Sequence, residues 1–201
     1  MTPQDRRDRL LALLRERAVA FGDFTLASGR KSTYYIDARL VTLHPEGGYL
    51  IGRVILDMMA RHGIEADAVG GLTLGADPIA VSVAVASHQE RRPLPAFVVR
   101  KEAKSHGTGR RVEGGLKPGA RVLIVDDVVT TAGSTLQAIG AVEEMGCRVA
   151  AVMCLIDRAE GGAEALRDYP FHPLFTVAEL LERPERNPTA APPRGTSDRT
   201  P

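Results

Sequence analysis

The chain has 201 residues, of which 44% are hydrophobic and 25% are charged, and its formal net charge is +1. This length suits one α/β domain with a substantial core, and the composition is that of a soluble globular protein. The near-neutral charge excludes a broad basic surface, so we expect no nucleic-acid partner and a locally built site for any anion.

The sequence predicts neither a targeting signal nor a membrane span. The opening MTPQDRRDRLLALLRERA mixes acidic with basic residues and contains no apolar stretch of signal-peptide length. No run of about 18 apolar residues occurs along the chain. Cys147 and Cys154 lack the spacing of a disulfide framework or a zinc site. We therefore expect a cytoplasmic protein with no membrane partner.

The N-terminal part is predicted to combine helices with a hairpin. Residues 4–20 have the apolar periodicity of an amphipathic helix. The segment FTLASGRKSTYYID (24–37) predicts two extended pieces around a turn that Gly29 permits. Pro45 can open a second helix, in which apolar residues continue at helical spacing as far as His62–Gly63.

From residue 66 onward, short apolar strands alternate with helices. This pattern predicts an α/β fold with a parallel sheet covered on both faces. Asp77-Pro78 is expected to cap the first of these helices, which is rich in Ala and Val. The predicted strands are 68–70, 96–99, 121–125 and 149–156, and the predicted helices are 79–88 and 135–145.

Two segments lack this patterning. Residues 101–120, KEAKSHGTGRRVEGGLKPGA, combine cations with glycines between two predicted strands. A polar loop of this length is uncommon in a small domain unless it is functional or disordered, and its composition suits a mobile lid that closes on a polyanion. Residues 184–201 are rich in Pro and polar residues and are predicted to be a disordered tail. The expected organisation is one domain over residues 1–183.

The segment VLIVDDVVTTAGST (122–135) has the most informative pattern in the chain. Its strand delivers Asp126 and Asp127 to the carboxyl end, where open α/β sheets bind ligands. The turn that follows leads into a helix, whose free backbone amides and positive dipole favour a phosphate. Gly133 permits close approach of the backbone, and paired carboxylates suit two ribose hydroxyls. The segment predicts a ribose 5-phosphate site, with hydroxyl donors on Thr130, Thr131, Ser134 and Thr135.

Other phosphate motifs fit less well. The chain has no G-x-x-x-x-G-K-[ST], which argues against a P-loop, and no G-x-G-x-x-G at a strand–helix junction, which argues against a dinucleotide fold. The structural alternative is that Asp-Asp and Ser-Thr are only turn and N-cap residues. That alternative accounts for one or two of them but not for the ordered set.

The same segment resembles the phosphoribosyl-pyrophosphate motif of type I phosphoribosyltransferases. Three further segments resemble the orotate phosphoribosyltransferase family: FTLASGRKSTYYID its N-terminal hood, RKEAKSHGTG (100–109) its catalytic loop, and CLIDRAEGG (154–162) the strand end that carries its orotate-binding arginine. The resemblance covers about residues 5–183. It implies the type I phosphoribosyltransferase fold, a central parallel sheet flanked by helices, with a small hood at about residues 1–40 and a flexible catalytic loop at about 101–120.

The resemblance also implies roles for the matching residues. Asp126 and Asp127 would hold the ribose hydroxyls, and the turn after them would wrap the 5-phosphate. The residues implied to bind the phosphoribosyl substrate are Asp126, Asp127, Val128, Val129, Thr130, Thr131, Ala132, Gly133 and Ser134.

Orotate and the diphosphate are assigned in the same way. Tyr35 and Ile36 would line the orotate pocket, and Arg158 and Thr130 would contact the base. The cations implied to meet the diphosphate, some of them from the neighbouring subunit of a homodimer with a shared active site, are Arg100, Lys101, Lys104 and His106.

The implied reaction replaces pyrophosphate at C1 of the ribose by N1 of orotate. It needs no protein nucleophile, since positioning and fixed positive charge on the leaving group would supply the catalysis. Mg²⁺ is expected to arrive on the pyrophosphate oxygens, with no dedicated protein metal site. Lys104 would act as a charge clamp and His106 as a hydrogen-bond or proton donor.

Two departures from the family pattern concern the diphosphate. Many bacterial members have a lysine where this chain has Ala27, and a Tyr-Lys pair where it has Leu74-Gly75. Arg30, Lys31 or the lid could replace these cations. Two other functions stay open: transfer to a purine base, and a non-catalytic regulator that senses phosphoribosyl pyrophosphate.

Overall fold

Helices and strands alternate along most of the chain. The computed structural model describes residues 1–25, 29, 31–102 and 111–182. In chain order the elements are α1 (Pro3–Arg17), β1 (Val19–Thr25), β2 (Lys31–Ile36), α2 (Arg39–Thr42), α3 (Pro45–His62), β3 (Ala68–Leu72), α4 (Ala76–Gln89), β4 (Ala96–Val99), β5 (Val112–Gly114), β6 (Arg121–Val129), α5 (Gly133–Glu143), β7 (Arg148–Asp157), α6 (Gly162–Ala165), β8 (Phe171–Thr176) and α7 (Val177–Leu181).

Six strands form the central sheet in the order β5-β4-β3-β6-β7-β8. Every neighbouring pair is parallel except β4 and β5, which are antiparallel. The predicted parallel sheet is therefore confirmed, with one antiparallel strand at its edge. Because the parallel strands end at the same side of the sheet, the segments that follow β3, β6 and β7 lie along one edge.

Side chains of the sheet alternate between two hydrophobic clusters, one on each face. Along β6, Leu123 and Val125 pack with α1, α3 and α4, whereas Val122 and Ile124 pack with α5. Each of these side chains is at most 1% exposed, and full burial of one contributes roughly 1.5–3 kcal/mol. The continuous apolar run of β6 thus holds the two helical layers on a rigid strand. This strand extends to Val129, beyond the predicted end at residue 125, so the acidic pair lies within its last four residues.

The N-terminal hairpin stands apart from this sheet. β1 and β2 form their own two-stranded antiparallel sheet. Next to it, α1 packs on α3, where the Arg6 guanidinium donates to both carboxylate oxygens of Asp57 at 2.7–2.9 Å. The hood predicted from the sequence therefore has a helix anchored to the core and a hairpin beside it.

Several predicted boundaries need correction. The first helix ends at Arg17, and β1 begins at Val19 instead of residue 24. Helix α4 begins at Ala76 with Gly75 at its N-cap, so Asp77-Pro78 lies inside the first turn and does not cap it. Segment 101–120 contains the unpredicted strand β5, because its few apolar residues are enough to pair with β4.

Strand β8 was also not predicted. Its sequence, FHPLFT, contains Pro173, which lacks an amide hydrogen and is tolerated because β8 is an edge strand. Ala27, Arg30, Lys104, His106 and the predicted tail at 184–201 lie outside the described residues. Among the helices of the described ranges, none is both long and apolar enough to cross a membrane.

Candidate functional site

A cleft of about 330 Å³ opens where the carboxyl ends of β3 and β6 approach the end of β2. It brings together residues from four separate parts of the chain. Its lining consists of Tyr35, Ile36, Asp37, Ala38, Arg39, Leu72, Thr73, Leu74, Gly75, Lys101, Asp126, Asp127, Val128 and Ser134.

Asp126 is almost fully buried, with 4% of its surface exposed. Its Oδ2 accepts hydrogen bonds from the hydroxyls of Ser134 and Thr135, each at 2.8 Å, and its Oδ1 accepts from the Asp127 amide at 3.0 Å. Burial raises the pKa of Asp126 to about 6, although the hydrogen bonds from Thr135 and Ser134 favour its charged form. Asp126 therefore fastens the start of α5 to the end of β6.

Asp127 is the more accessible acid of the pair. It lines the cleft, and its Oδ1 accepts a hydrogen bond from the Val128 amide at 2.8 Å. Gly75 lies close by, since a Cβ atom at that position would be only 2.6 Å from Asp127 Oδ1. The structure thus gives the two adjacent carboxylates different environments, and Asp127 is the one open to a ligand hydroxyl.

The turn between β6 and α5 has the form of an anion cradle. Ala132 adopts a left-handed conformation with φ 64° and ψ 12°, which is unusual for a residue with a side chain and is held by its burial. Gly133 begins α5, and a Cβ atom there would meet nothing within 4 Å. Gly133 is exposed, and the first backbone amides of a helix have no partner within it, so a phosphate would be stabilised here.

Asp126 accepts hydrogen bonds from two of the four hydroxyls predicted to be phosphate donors, those of Ser134 and Thr135. The Thr135 hydroxyl was expected to face a phosphate, but Thr135 is 1% exposed and its hydroxyl donates to Asp126. Thr131 and Ser134 are exposed and Thr130 is partly exposed. The sequence placed all four hydroxyls in one short segment but could not reveal which of them the acid uses.

Strand β2 forms a wall of the cleft through Tyr35 and Ile36. The Tyr35 ring is tilted against Phe24 with 5.7 Å between ring centroids. Because side chains alternate along a strand, Tyr34 points to the opposite face, where its ring centroid lies 5.8 Å from Cζ of Arg158. Tyr34 is not among the site residues predicted from the sequence, and its alternation with Tyr35 is the signal that identifies it.

Arg158 follows β7, one strand away from the acidic pair, and is not among the residues lining the cleft. Its amide donates to the carbonyl of Val129 at 2.9 Å, and its guanidinium pairs with Glu160 at 2.9 Å. Its Nε is buried and has no hydrogen-bond partner within the described structure. The structure therefore places Arg158 at the predicted edge of the sheet, with one donor unused.

Of the cations that the resemblance assigns to the diphosphate, the structure describes Lys101 and Arg100, and only Lys101 lies in the cleft. Lys101 lines the cleft, and its carbonyl accepts a hydrogen bond from Gln137 at 2.9 Å. Arg100 does not line the cleft, and its Nη1 lies 3.8 Å from Glu113.

Arg39 is a cleft cation that the sequence analysis missed. Its Nε and Nη2 donate to the two carboxylate oxygens of Asp37 at 2.9 and 3.0 Å. These side-chain hydrogen bonds lower the pKa of Asp37. Its position directly after the hairpin strand that carries Tyr35 is the signal that could have identified it.

A metal ion would find few protein ligands here. Within the described ranges, no group of three or more His, Cys, Asp or Glu residues could hold one. Asp127 offers a carboxylate at the cleft surface, which suits Mg²⁺ that keeps most of its waters and binds mainly through a phosphate substrate.

Comparison with known proteins agrees with this geometry. A family model described as phosphoribosyl transferase domain matches residues 45–171. An orotate phosphoribosyltransferase from Rhodopirellula baltica is 48% identical over 160 residues, which cover 78% of this chain and 83% of the relative. The chain belongs to the orotate phosphoribosyltransferase family.

Solved structures of this family have the same fold. The Mycobacterium tuberculosis orotate phosphoribosyltransferase in complex with Fe(III) dicitrate has a TM-score of 0.79 and 42% identity, over 88% of this chain and 99% of that one. The same enzyme in complex with 5-phospho-α-D-ribosyl 1-diphosphate has a TM-score of 0.75 and 39% identity, over 87% and 98%. The type I phosphoribosyltransferase fold expected from the resemblance is confirmed.

Proposed function

We propose that this protein transfers the phosphoribosyl group of 5-phosphoribosyl 1-diphosphate to orotate, which yields orotidine 5′-monophosphate and diphosphate in pyrimidine biosynthesis. The observation that carries this proposal is the shared cleft, which joins Asp127 and the start of α5 to the wall of Tyr35 and Ile36. A sugar phosphate and a planar base can therefore lie side by side. Membership of the orotate phosphoribosyltransferase family supports the choice of substrates.

The phosphoribosyl substrate fits the acidic pair and the turn after it. The 5-phosphate would contact the backbone from Thr130 to Ser134, whereas Val128 and Val129, which the sequence placed in this turn, are the last two residues of β6 and pair with β7. The ribose hydroxyls would donate to Asp127, while Asp126 keeps the turn in place through Ser134 and Thr135. Because these acceptors and donors are already oriented, little ordering is needed when the sugar binds.

Orotate would occupy the space between the β2 wall and the end of β7. Tyr35 and Ile36 would line its pocket, and Thr130 would contact its edge. Arg158 would meet the carboxylate with its guanidinium after moving away from Glu160, which lies on its own loop. Two parallel charge-assisted hydrogen bonds to a carboxylate give both energy and geometric selectivity.

The chemical step breaks the C1–O bond to diphosphate and forms the C1–N1 bond to orotate. Positive charge develops on the ribose and negative charge on the leaving group, so fixed cations lower the barrier. Lys101 is placed for this in the cleft, and Arg100, Lys104 and His106 would join it when the loop closes. His106 would donate a hydrogen bond or a proton to the departing diphosphate, and closure would exclude water from the activated sugar.

Magnesium is part of the proposal. Asp127 and the diphosphate oxygens would hold the ion, which when bound neutralises charge on the leaving group.

We also propose a homodimer in which the active site is shared. A surface groove includes four exposed apolar residues in its lining, Leu43, Tyr49, Val81 and Val85, and each of them is at least 55% exposed. An apolar patch of this kind commonly marks a protein interface. A second copy bound there would bury it, and the loop of one subunit would reach the cleft of the other.

Mixing two strongly impaired variants tests the shared site. Lys104→Ala removes a loop residue and Asp127→Asn a cleft residue, so a mixed dimer would contain one intact site. After subunit exchange we expect up to about a quarter of the parent activity, since half of the dimers are mixed and each has one working site. A monomeric mass in sedimentation, or a mixture as inactive as its components, would contradict the shared site.

The remaining proposals concern organisation and location. We propose a single domain over residues 1–183 with a catalytic loop at about 101–111, shorter than the sequence indicated because β5 follows it. We propose that the tail at 184–201 is dispensable for folding and that the protein acts in the cytoplasm.

A base-specificity assay tests the reaction. Protein, Mg²⁺ and phosphoribosyl pyrophosphate are mixed with orotate, adenine or hypoxanthine, and the loss of orotate absorbance is followed beside release of diphosphate. We expect turnover with orotate alone. Turnover with a purine would replace this proposal by a purine phosphoribosyltransferase, and binding without turnover of any base would indicate a regulator.

A further inference from the structure

The charges around the cleft are unbalanced for a substrate that is a polyanion. Among the described residues that line it, the cations are Arg39 and Lys101, against the carboxylates of Asp37, Asp126 and Asp127. A diphosphate that leaves with growing negative charge needs positive groups at fixed positions. Each cation of this lining therefore has a large effect on the local potential.

The loop after β3 cannot supply the missing charge. Thr73, Leu74 and Gly75 line the cleft there and carry none. A side chain at Gly75 would meet Asp127, since a Cβ atom would lie 2.6 Å from its Oδ1. Lys31 does not replace it, because it lies outside the cleft lining and donates to Thr25 at 2.8 Å.

Arg39 has the geometry that an anion site needs. It begins α2, immediately after the hairpin, and its side chain is 56% exposed at the cleft. Nε and Nη2 are bound to Asp37, whereas Nη1 has no hydrogen-bond partner among the described residues. Asp37 Oδ1 also accepts the Arg39 amide at 3.1 Å. Asp37 thus fixes one edge of the planar guanidinium and leaves the other edge to a ligand.

We infer that Arg39 is a further substrate-binding residue, which contacts the diphosphate of 5-phosphoribosyl 1-diphosphate, and that Asp37 is its positioning residue. This inference rests on the proposed function. The other anionic groups of the two substrates already have partners: the 5-phosphate has the amides at the start of α5, and the orotate carboxylate has Arg158. The diphosphate is the group for which the described part of the cleft offers only Lys101.

Separate binding measurements with two parts of the substrate test the inference. Pyrophosphate with Mg²⁺ probes the diphosphate position, and ribose 5-phosphate probes the sugar and 5-phosphate positions. In Arg39→Ala we expect pyrophosphate to bind about 10-fold more weakly, the effect of losing one charge-assisted contact of about 1.4 kcal/mol. Ribose 5-phosphate should bind as in the parent, which also shows that the site is still folded.

Arg167→Ala is the matched control. Arg167 is exposed and pairs with Glu164 three residues away, as Arg39 pairs with a nearby carboxylate, but it does not line the cleft. This variant should bind both probes normally. If Arg39→Ala does not fold, Arg39→Lys provides the same test. Its loss of pyrophosphate affinity should be smaller, about threefold, because the positive charge is kept but the planar guanidinium with its paired N–H donors is lost.

Three results would overturn the inference: unchanged pyrophosphate binding, an equal loss for both probes, or a loss seen only in the KM for orotate. A separate result would contradict the proposed function, namely that the parent protein does not convert orotate. Because the pyrophosphate and ribose 5-phosphate titrations need no turnover, the two failures are distinguishable.

Discussion

A Cβ atom at Gly75 would lie 2.6 Å from Oδ1 of Asp127, a separation that real Cβ atoms do not show. It would also come within 3.1 Å of Oδ1 of Asp126. The absence of a side chain at Gly75, at the start of α4, is therefore what allows the acidic pair near the end of β6 to face the cleft. This relation joins two segments that are far apart in the sequence.

Gly75→Ala should therefore impair the site more than the fold. The methyl group would push the Asp127 carboxylate from its position, while the backbone at Gly75, with φ −61° and ψ −44°, accepts alanine without strain. We expect kcat/KM for phosphoribosyl pyrophosphate to fall by at least about tenfold, and the free energy of unfolding to change by less than about 1 kcal/mol.

Gly140→Ala is the control for this experiment. Gly140 lies inside α5, and a Cβ atom there would meet nothing within 4 Å. Alanine in a helix interior should stabilise the protein by roughly 0.5–1 kcal/mol and leave kinetics unchanged. Parent-like activity in Gly75→Ala would show that the clash is relieved without moving Asp127.

Asp127→Asn tests the acid that is open to the ribose. The amide keeps the shape but replaces a pure acceptor by a mixed donor and acceptor, so one hydroxyl of the sugar loses its partner. A hydrogen bond to a charged group contributes roughly 1.5–3 kcal/mol, which corresponds to about 10- to 100-fold in kcat/KM for phosphoribosyl pyrophosphate. Calorimetric titration with ribose 5-phosphate should show the same loss, and undiminished binding would refute the diol assignment.

Asp126 should make the stability of the unliganded protein depend on pH. Burial raises its pKa from 3.8 to about 6, so between these values the folded protein binds more protons than the unfolded chain. Stability from this group is fully present below pH about 4 and is lost as the pH rises through about 6. Relative to Asp126→Asn, which cannot titrate, the parent should lose on the order of 3 kcal/mol between pH 4 and pH 7.

Denaturant unfolding of both proteins across this pH range measures the difference. Titration of groups that do not interact with Asp126 cancels in the comparison, provided that the Asn variant keeps the hydrogen bonds from Ser134 and Thr135. A constant difference would mean that Asp126 stays ionised in the folded protein throughout the range.

Lys104→Ala and His106→Ala test the loop. Each is expected to contact the leaving diphosphate mainly in the transition state, so turnover should fall by orders of magnitude. Polar residues in a segment without apolar periodicity contribute little to a core, and the thermal midpoint should stay within a few degrees of the parent. Near-normal turnover in both variants would remove the loop from the mechanism.

Arg158→Ala tests recognition of the orotate carboxylate. The variant should lose about 10- to 100-fold in kcat/KM for orotate, because charge-assisted hydrogen bonds of roughly 1.5–3 kcal/mol are removed. The KM for phosphoribosyl pyrophosphate should hardly change. Uracil, which lacks the carboxylate, should remain a poor substrate of both proteins. A loss confined to phosphoribosyl pyrophosphate would assign Arg158 to the diphosphate instead.

Local patterns in the sequence predicted most of the fold. The continuous apolar runs of β6 and β7 and the helical spacing of α3 are strong signals of secondary structure. Each of these elements buries a whole face or stripe of side chains. The sequence did not predict β5 and β8, which are short edge strands, and it misplaced the start of α4. Pairing with a neighbour decides whether such short segments form strands, and that neighbour lies outside the segment itself.

The sequence by itself determined the part of the site whose residues are adjacent in the chain: Asp126 and Asp127 near the end of a strand, followed by a turn and a helix start. Adjacent residues keep their relation in any fold that preserves those elements. Only the tertiary structure decided that Thr135 serves Asp126, that Gly75 leaves room for Asp127, and that Arg39 shares their cleft. These relations depend on the direction of side chains and on the meeting of the ends of β2, β3 and β6 at one cleft, which packing of the whole chain fixes.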